Sequence, residues 1–248
     1  MNIMHKAGLV LAGALLAAPL WAQQRAETYL ERINGQRMVA QQITADPQGN
    51  LNVQMDSGVT IRVPRAEVKL VVTPKPREVT AMEQGLAANQ ADDVIRAAPA
   101  ALNRYQFLGW NGPISYLEGM AQMAKGDLAA AERAFERGLR QPDQSELDLA
   151  CGRAQLLVRQ KKGDEALKLL DRIVAAAPPD KAVVAFNTRA RVFAEMGRDH
   201  EAVLEYLKTI LLFKPNQFPE QRAEAKREAA ALLKKRNDPR AADIERME

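Results

Sequence analysis

Cysteine occurs once in the 248 residues, at Cys151. One thiol closes no loop within the chain, so folding rests on packing and backbone hydrogen bonds, whatever the redox compartment. Histidine occurs twice, at His5 and His200. Acid–base and nucleophilic catalysis need a positioned base, and His200 sits in a turn whose acidic neighbours, Asp199 and Glu201, point other ways because they are adjacent in sequence. The same geometry argues against a metal site there. Phosphate-cradling G-x-x-x-x-G-K-[ST] loops and Asp-rich calcium loops are absent, and Asp92-Asp93, being consecutive, cannot face one another as an acid pair. No residue set nominates itself for catalysis, a cofactor or a metal, and the chain reads as a non-enzyme.

Aromatic residues make up only 5%, which favours helices packed closely through small residues over a sandwich filled with large side chains. Excess charge is also slight. The net value is +4, too mild to argue for nucleic acid. Long hydrophobic runs are missing too: the apolar stretch that begins at Ala7 is about 15 residues, against the roughly 20 of a membrane span. With cationic Met1 to Lys6 before it and Leu20-Trp21-Ala22 after it, residues 1–22 read as a secretory signal that leaves a chain starting near Gln23. An uncleaved anchor is the rival reading. No Cys lies near the cleavage point, so a lipid-modified terminus is excluded on chemistry.

What is present falls into two regions. From residue 23 to 72 hydrophobicity alternates with period two, most plainly in Leu51-Asn-Val53-Gln-Met55 and Val59-Thr-Ile61-Arg-Val63. Asn34-Gly35 signals a hairpin, Asp46 to Asn50 a loop, Asp56-Ser57-Gly58 a tight turn, and Pro64 to Glu67 one helical turn before a last strand at Val68 to Val72. Five short strands in this space predict a small bent barrel, and their layout resembles SH3-like or Sm-like barrels. Pro74 and Pro76 end the ladder and make 73–78 a linker.

Everything further reads as helix. Small residues recur in pairs twelve apart: Gly119 with Ala131, Ala154 with Ala166, Ala190 with Ala202, the second pair 35 and the third a further 36 residues on. Each pair brackets a turn: Lys125-Gly126-Asp127, Lys161 to Asp164, Gly197-Arg198-Asp199. Two antiparallel helices need small residues where they cross, and a period of about 34 residues marks a helix–turn–helix solenoid. Phe135 and Tyr206 follow the second small residue by four, and Pro142, Pro178 and Pro215 each close a second helix. These residues resemble tetratricopeptide repeats over 113–216. Residues 79–112 read as a degenerate pair, with Val94 in the small position, Pro99 breaking or restarting the second helix, and Asn103 to Pro113 an irregular link. Residues 217–248 read as capping helices with a weak pair around Ala242 and a basic, solvated Lys234-Lys235-Arg236.

The expected fold is therefore mainly α, a tetratricopeptide-like α-solenoid preceded by a five-stranded β-barrel. The resemblance implies that the first helix of each unit lines an inner groove, drawing on Tyr116, Met120, Met123, Gln155, Arg159, Asn187 and Arg191 for a protein or peptide partner. The family's carboxylate-gripping Lys and Asn set is not matched, since Tyr116, Met120, Gly152, Val184 and Thr188 stand there. The functional expectation is an exported scaffold in the envelope of a diderm bacterium, periplasmic or peripherally associated with the outer membrane. Two alternatives are a structural subunit of a secretion or pilus-type assembly and a glycan-binding module, the latter poorly served by Tyr29 as the one aromatic of the β region. The oligomeric state is left open by the sequence.

Overall fold

The computed structural model describes residues 28–140, 145–176 and 178–247. The expected signal segment and Pro142 lie outside them.

Six strands, β1 (Tyr29–Arg32), β2 (Arg37–Val39), β3 (Gln42–Ala45), β4 (Leu51–Gln54), β5 (Thr60–Val63) and β6 (Val68–Val72), form two three-stranded antiparallel sheets, ordered β2-β1-β6 and β3-β4-β5. This corrects the expected closed five-stranded barrel. Between β2 and β3 the chain changes sheets at Ala40-Gln41: the Ala40 N–H donates to Thr28 O, while the next N–H, of Gln41, donates to Gln54 O of the other sheet. At the opposite corner Pro64 offers no N–H, and a 3₁₀ turn at Arg65–Glu67 separates β5 from β6. The alternation still does what period two implies. Leu30, Leu51, Val53 and Val63 are fully buried in one core shared by both sheets. Asp46 holds the β3–β4 loop by accepting the N–H groups of Gln48 and Asn50. Those bonds, that from the Asn50 side chain foremost, keep its carboxyl below the usual range.

Ten α-helices follow among the described residues: α1 (Arg77–Ala87), α2 (Ala91–Tyr105), α3 (Asn111–Lys125), α4 (Leu128–Leu139), α5 (Glu146–Arg159), α6 (Gly163–Ala176), α7 (Pro179–Glu195), α8 (Asp199–Leu212), α9 (Pro219–Lys235) and α10 (Ala241–Arg246). They are five antiparallel pairs. All six paired small residues are buried, and their function is spatial. A Cβ on Gly119 would stand 2.4 Å from the Phe135 ring, and one on Gly152 would stand 2.8 Å from the same ring.

Each pair turns through one residue in the left-handed region: Asn89, Gly126, Lys161, Gly197 and Asn237. In the first pair Val94 is buried at the crossing and Gly85 opposite makes room for it, at 3.1 Å from a built Cβ. In the last pair Ala229 and Ala241 take the buried crossing positions and Ala242 is exposed, a shift of one residue from the sequence reading.

Pro99 neither breaks nor restarts α2, which runs through it. The proline faces solvent while Val94, Ala98 and Ala101 on the other side are buried against α1 and α3, and this burial offsets the lost backbone bond. The expected irregular link is a joint. A 3₁₀ turn at Gln106–Leu108 sends Phe107 and Leu108 into the β core, Trp110 Nε1 donates to Thr73 Oγ1, and Thr73 Oγ1 donates to Leu108 O, each at 2.9 Å. Gly109, at φ +86°, lies so close to Val71 O that a Cβ would stand 2.3 Å away. No helix among the described residues is long and apolar enough to cross a membrane.

Candidate functional site

Helices α3, α5, α7 and α9 pack directly against one another in sequence order, with α4, α6 and α8 behind them. The first helix of each pair therefore forms one continuous wall. Side chains from four helices lie within electrostatic reach of one another on and beneath it. Tyr116 comes from α3, Asp148 and Cys151 from α5, Thr188 and Arg191 from α7, and Glu224 from α9.

Tyr116 is half-buried with its ring tilted on Phe135, centroids 6.4 Å apart, and with Gly152 beneath it. Burial pushes its hydroxyl up to about 12; the negative charge of Asp148 adds to this, and Arg191 opposes it. The group stays a neutral donor and acceptor throughout the physiological range. Cys151 is buried, and burial raises its thiol to about 11 against a hydrogen bond with Thr188. A buried thiol held protonated in this way packs as a small hydrophobe. Arg191 Nη2 lies 3.2 Å from Glu224 Oε1, while its Nε is buried without a hydrogen-bond partner.

The remaining groove candidates divide by burial. Met120 is half-buried beside Phe135, and Arg159 is exposed, 3.9 Å from Glu195. Met123, at 5% exposure, belongs to the interior between α3 and α4, and this withdraws it from an open groove. Asn187, at 1%, is spent inside the body: Nδ2 donates to Gln221 O and Glu224 Oε2, and Oδ1 accepts from Thr209. Gln155 is nearly as buried. The structure thus brings Tyr116 and Arg191 together, leaves Met120 and Arg159 on the periphery, and removes three candidates. Sequence reasoning missed Asp148 and Glu224. Neither belongs to a motif; each is recognisable only once helix packing places α5 and α9 beside Arg191.

Two other features bear on the alternatives. Arg37 stacks over the ring of Tyr29 at 3.6 Å, covering the aromatic face that a sugar would need. Among the described residues no group of three or more His, Cys, Asp or Glu is arranged to hold a metal.

Comparison with known proteins places these observations. No curated protein matches the chain. Among solved structures it is similar to YrrB, described as a tetratricopeptide-repeat protein with an unusual peptide-binding site, at 20% identity over 67% of this chain and 80% of that one, with a TM-score of 0.37. Residues 122–191, from the end of α3 into α7, match the tetratricopeptide repeat family model.

Proposed function

We propose that the chain is an exported, non-enzymatic scaffold that binds a protein or peptide segment along the wall formed by α3, α5, α7 and α9, within the envelope of a diderm bacterium. The observation that carries this reading is the Arg191–Glu224 ion pair between α7 and α9, on the same wall of first helices as half-buried Tyr116 of α3 and exposed Asp148 of α5, whose charges the Tyr116 hydroxyl feels. Mixed acceptors and donors on a rigid wall suit an extended peptide, whose backbone and charged side chains need both. The tetratricopeptide match over 122–191 supports the scaffold role. The cationic start, apolar run and Ala22 cleavage point support export.

The test is a crosslinking pull-down from envelope extract with the full chain, identified by mass spectrometry and repeated with Arg191→Gln and with Glu224→Gln. Each variant should capture at least about tenfold less of the main partner, in keeping with the loss of a charge-assisted contact. An unchanged partner profile would remove the wall from consideration.

A further inference from the structure

Strand β3 is an edge strand: it bonds to β4 on one side, and no strand among the described residues pairs with the other. The ladder fixes which of its main-chain groups are left over. Asp46 N–H donates to Asn50 O, in the same register that sets Thr44 opposite Asn52 and Gln42 opposite Gln54. Hydrogen-bonded pairs in an antiparallel ladder recur at every second residue, so Gln42, Thr44 and Asp46 spend their main-chain groups on β4. Those of Ile43 and Ala45 point the other way.

That side faces a groove of about 690 Å³ between β3, the start of α1 and the end of α2. Residues Gln41 to Ala45 line it, and the Ile43 side chain is packed in the β core, so what Ile43 presents to the groove is main chain. Edge strands are commonly guarded by proline, by charge or by a covering segment. Gln42-Ile43-Thr44-Ala45 has neither proline nor charge. On β6, an edge of the other sheet, Gly109 packs against Val71 O.

A row of unpaired N–H and C=O groups is matched by an extended backbone. The far side of the groove narrows the choice. Pro74 and Pro76 carry no N–H, while Arg77, Arg104 and Tyr105 stand across from β3, where a second copy's β3 would drive its own β4 and β5 into them. A single strand brings no such bulk. Charge on that side is unevenly spent: Arg104 lies 3.3 Å from Glu78, which also accepts from the Tyr105 hydroxyl at 2.9 Å, whereas exposed Arg77 has no ion pair among the described residues. We infer that the groove takes an extended segment of another protein, added beside β3 as a further strand and carrying a carboxylate toward Arg77. This site lies in the β region, apart from the wall of first helices, and does not depend on the role of that wall.

An amide NMR titration of the full chain tests the inference with three blocked peptides: Ser-Thr-Val-Glu-Val-Thr-Ser, the same with Lys in place of Glu, and the Glu peptide N-methylated throughout. With the Glu peptide the signals of Ile43 and Ala45 should shift and their hydrogen exchange should slow at least about fivefold, because each N–H gains an acceptor. The N-methylated peptide should do neither. The Lys peptide should bind about two- to fivefold more weakly, as befits an exposed ion pair, and Arg77→Gln should remove that difference. Ala45→Pro deletes an N–H that lies outside the β3–β4 ladder, so it should weaken the Glu peptide at least about fivefold while circular dichroism shows the sheet intact. Signals of Ile43 and Ala45 that stay still at millimolar peptide, or that shift equally with the N-methylated peptide, overturn the strand site. Equal binding of the Glu and Lys peptides overturns the acidic occupant. Shifts confined to the surroundings of Tyr116 overturn the strand site and favour the wall, so the two sites fail separately.

Discussion

At the scale of single residues, Phe135 shows how small residues carry the repeat. Its ring is fully buried between Gly119 and Gly152, and a methyl group on either would enter the space of the same ring atoms. The ring has nowhere to retreat. Gly119→Ala gains up to about 1 kcal/mol of helix propensity but overpacks the crossing at a cost of about 1–3 kcal/mol, so a net loss of about 1–2 kcal/mol is expected in urea unfolding. Phe135→Leu in the same chain should recover part of that loss, and a double-mutant cycle showing no coupling would mean that the crossing relaxes elsewhere. The recurrence of small residues was legible in the sequence because it is a pattern of size. That Gly119 and Gly152 serve one ring was not, because they belong to different repeats.

At the scale of elements, the five turns share a left-handed residue, yet only Gly126 and Gly197 announce it. Asn89 and Asn237 adopt the same conformation through the tolerance of Asn for it, and Lys161 does so without that help. Replacing Lys161 by Gly should remove backbone strain in the α5–α6 turn and raise stability by up to about 1 kcal/mol, less the entropy that Gly adds to the unfolded chain. A lower melting temperature would show that the Lys161 side chain contributes more than the strain removes. Helix α2 teaches the converse lesson. Proline chemistry predicts a break at Pro99, but an exposed proline on a helix whose opposite face is buried is carried by tertiary packing, which local reading does not include. The last crossing lies at Ala229 and Ala241, with Ala242 exposed.

At the scale of the whole molecule, the β region and the helices are joined through a few residues. Phe107 and Leu108 enter the β core, Gly49 yields space to the Phe107 ring, and Trp110 and Thr73 tie the two sides by hydrogen bonds. Phe107→Ala removes most of the apolar part of that joint at a cost of about 2–4 kcal/mol. Hydrogen exchange should then quicken in β1–β6 while the protection of α5–α9 stays unchanged, because repeat bodies distribute stability between neighbours. Equal loss of protection along the chain would instead show that the two regions unfold as one unit.

Alone, the sequence determined what depends on neighbours along the chain: the alternation that makes strands, and the paired small residues and turns that make helical pairs. Tertiary structure decided what depends on distant residues meeting. It split the β region into two sheets at Ala40, because backbone partners change there. It also placed Glu224 beside Arg191, withdrew Met123 and Asn187 from the wall, and left Leu211 and Leu212 bare. Periodicity specifies which face of a helix is buried, whereas contact between helices depends on how the faces of separate pairs are stacked, and that information is carried by no single segment.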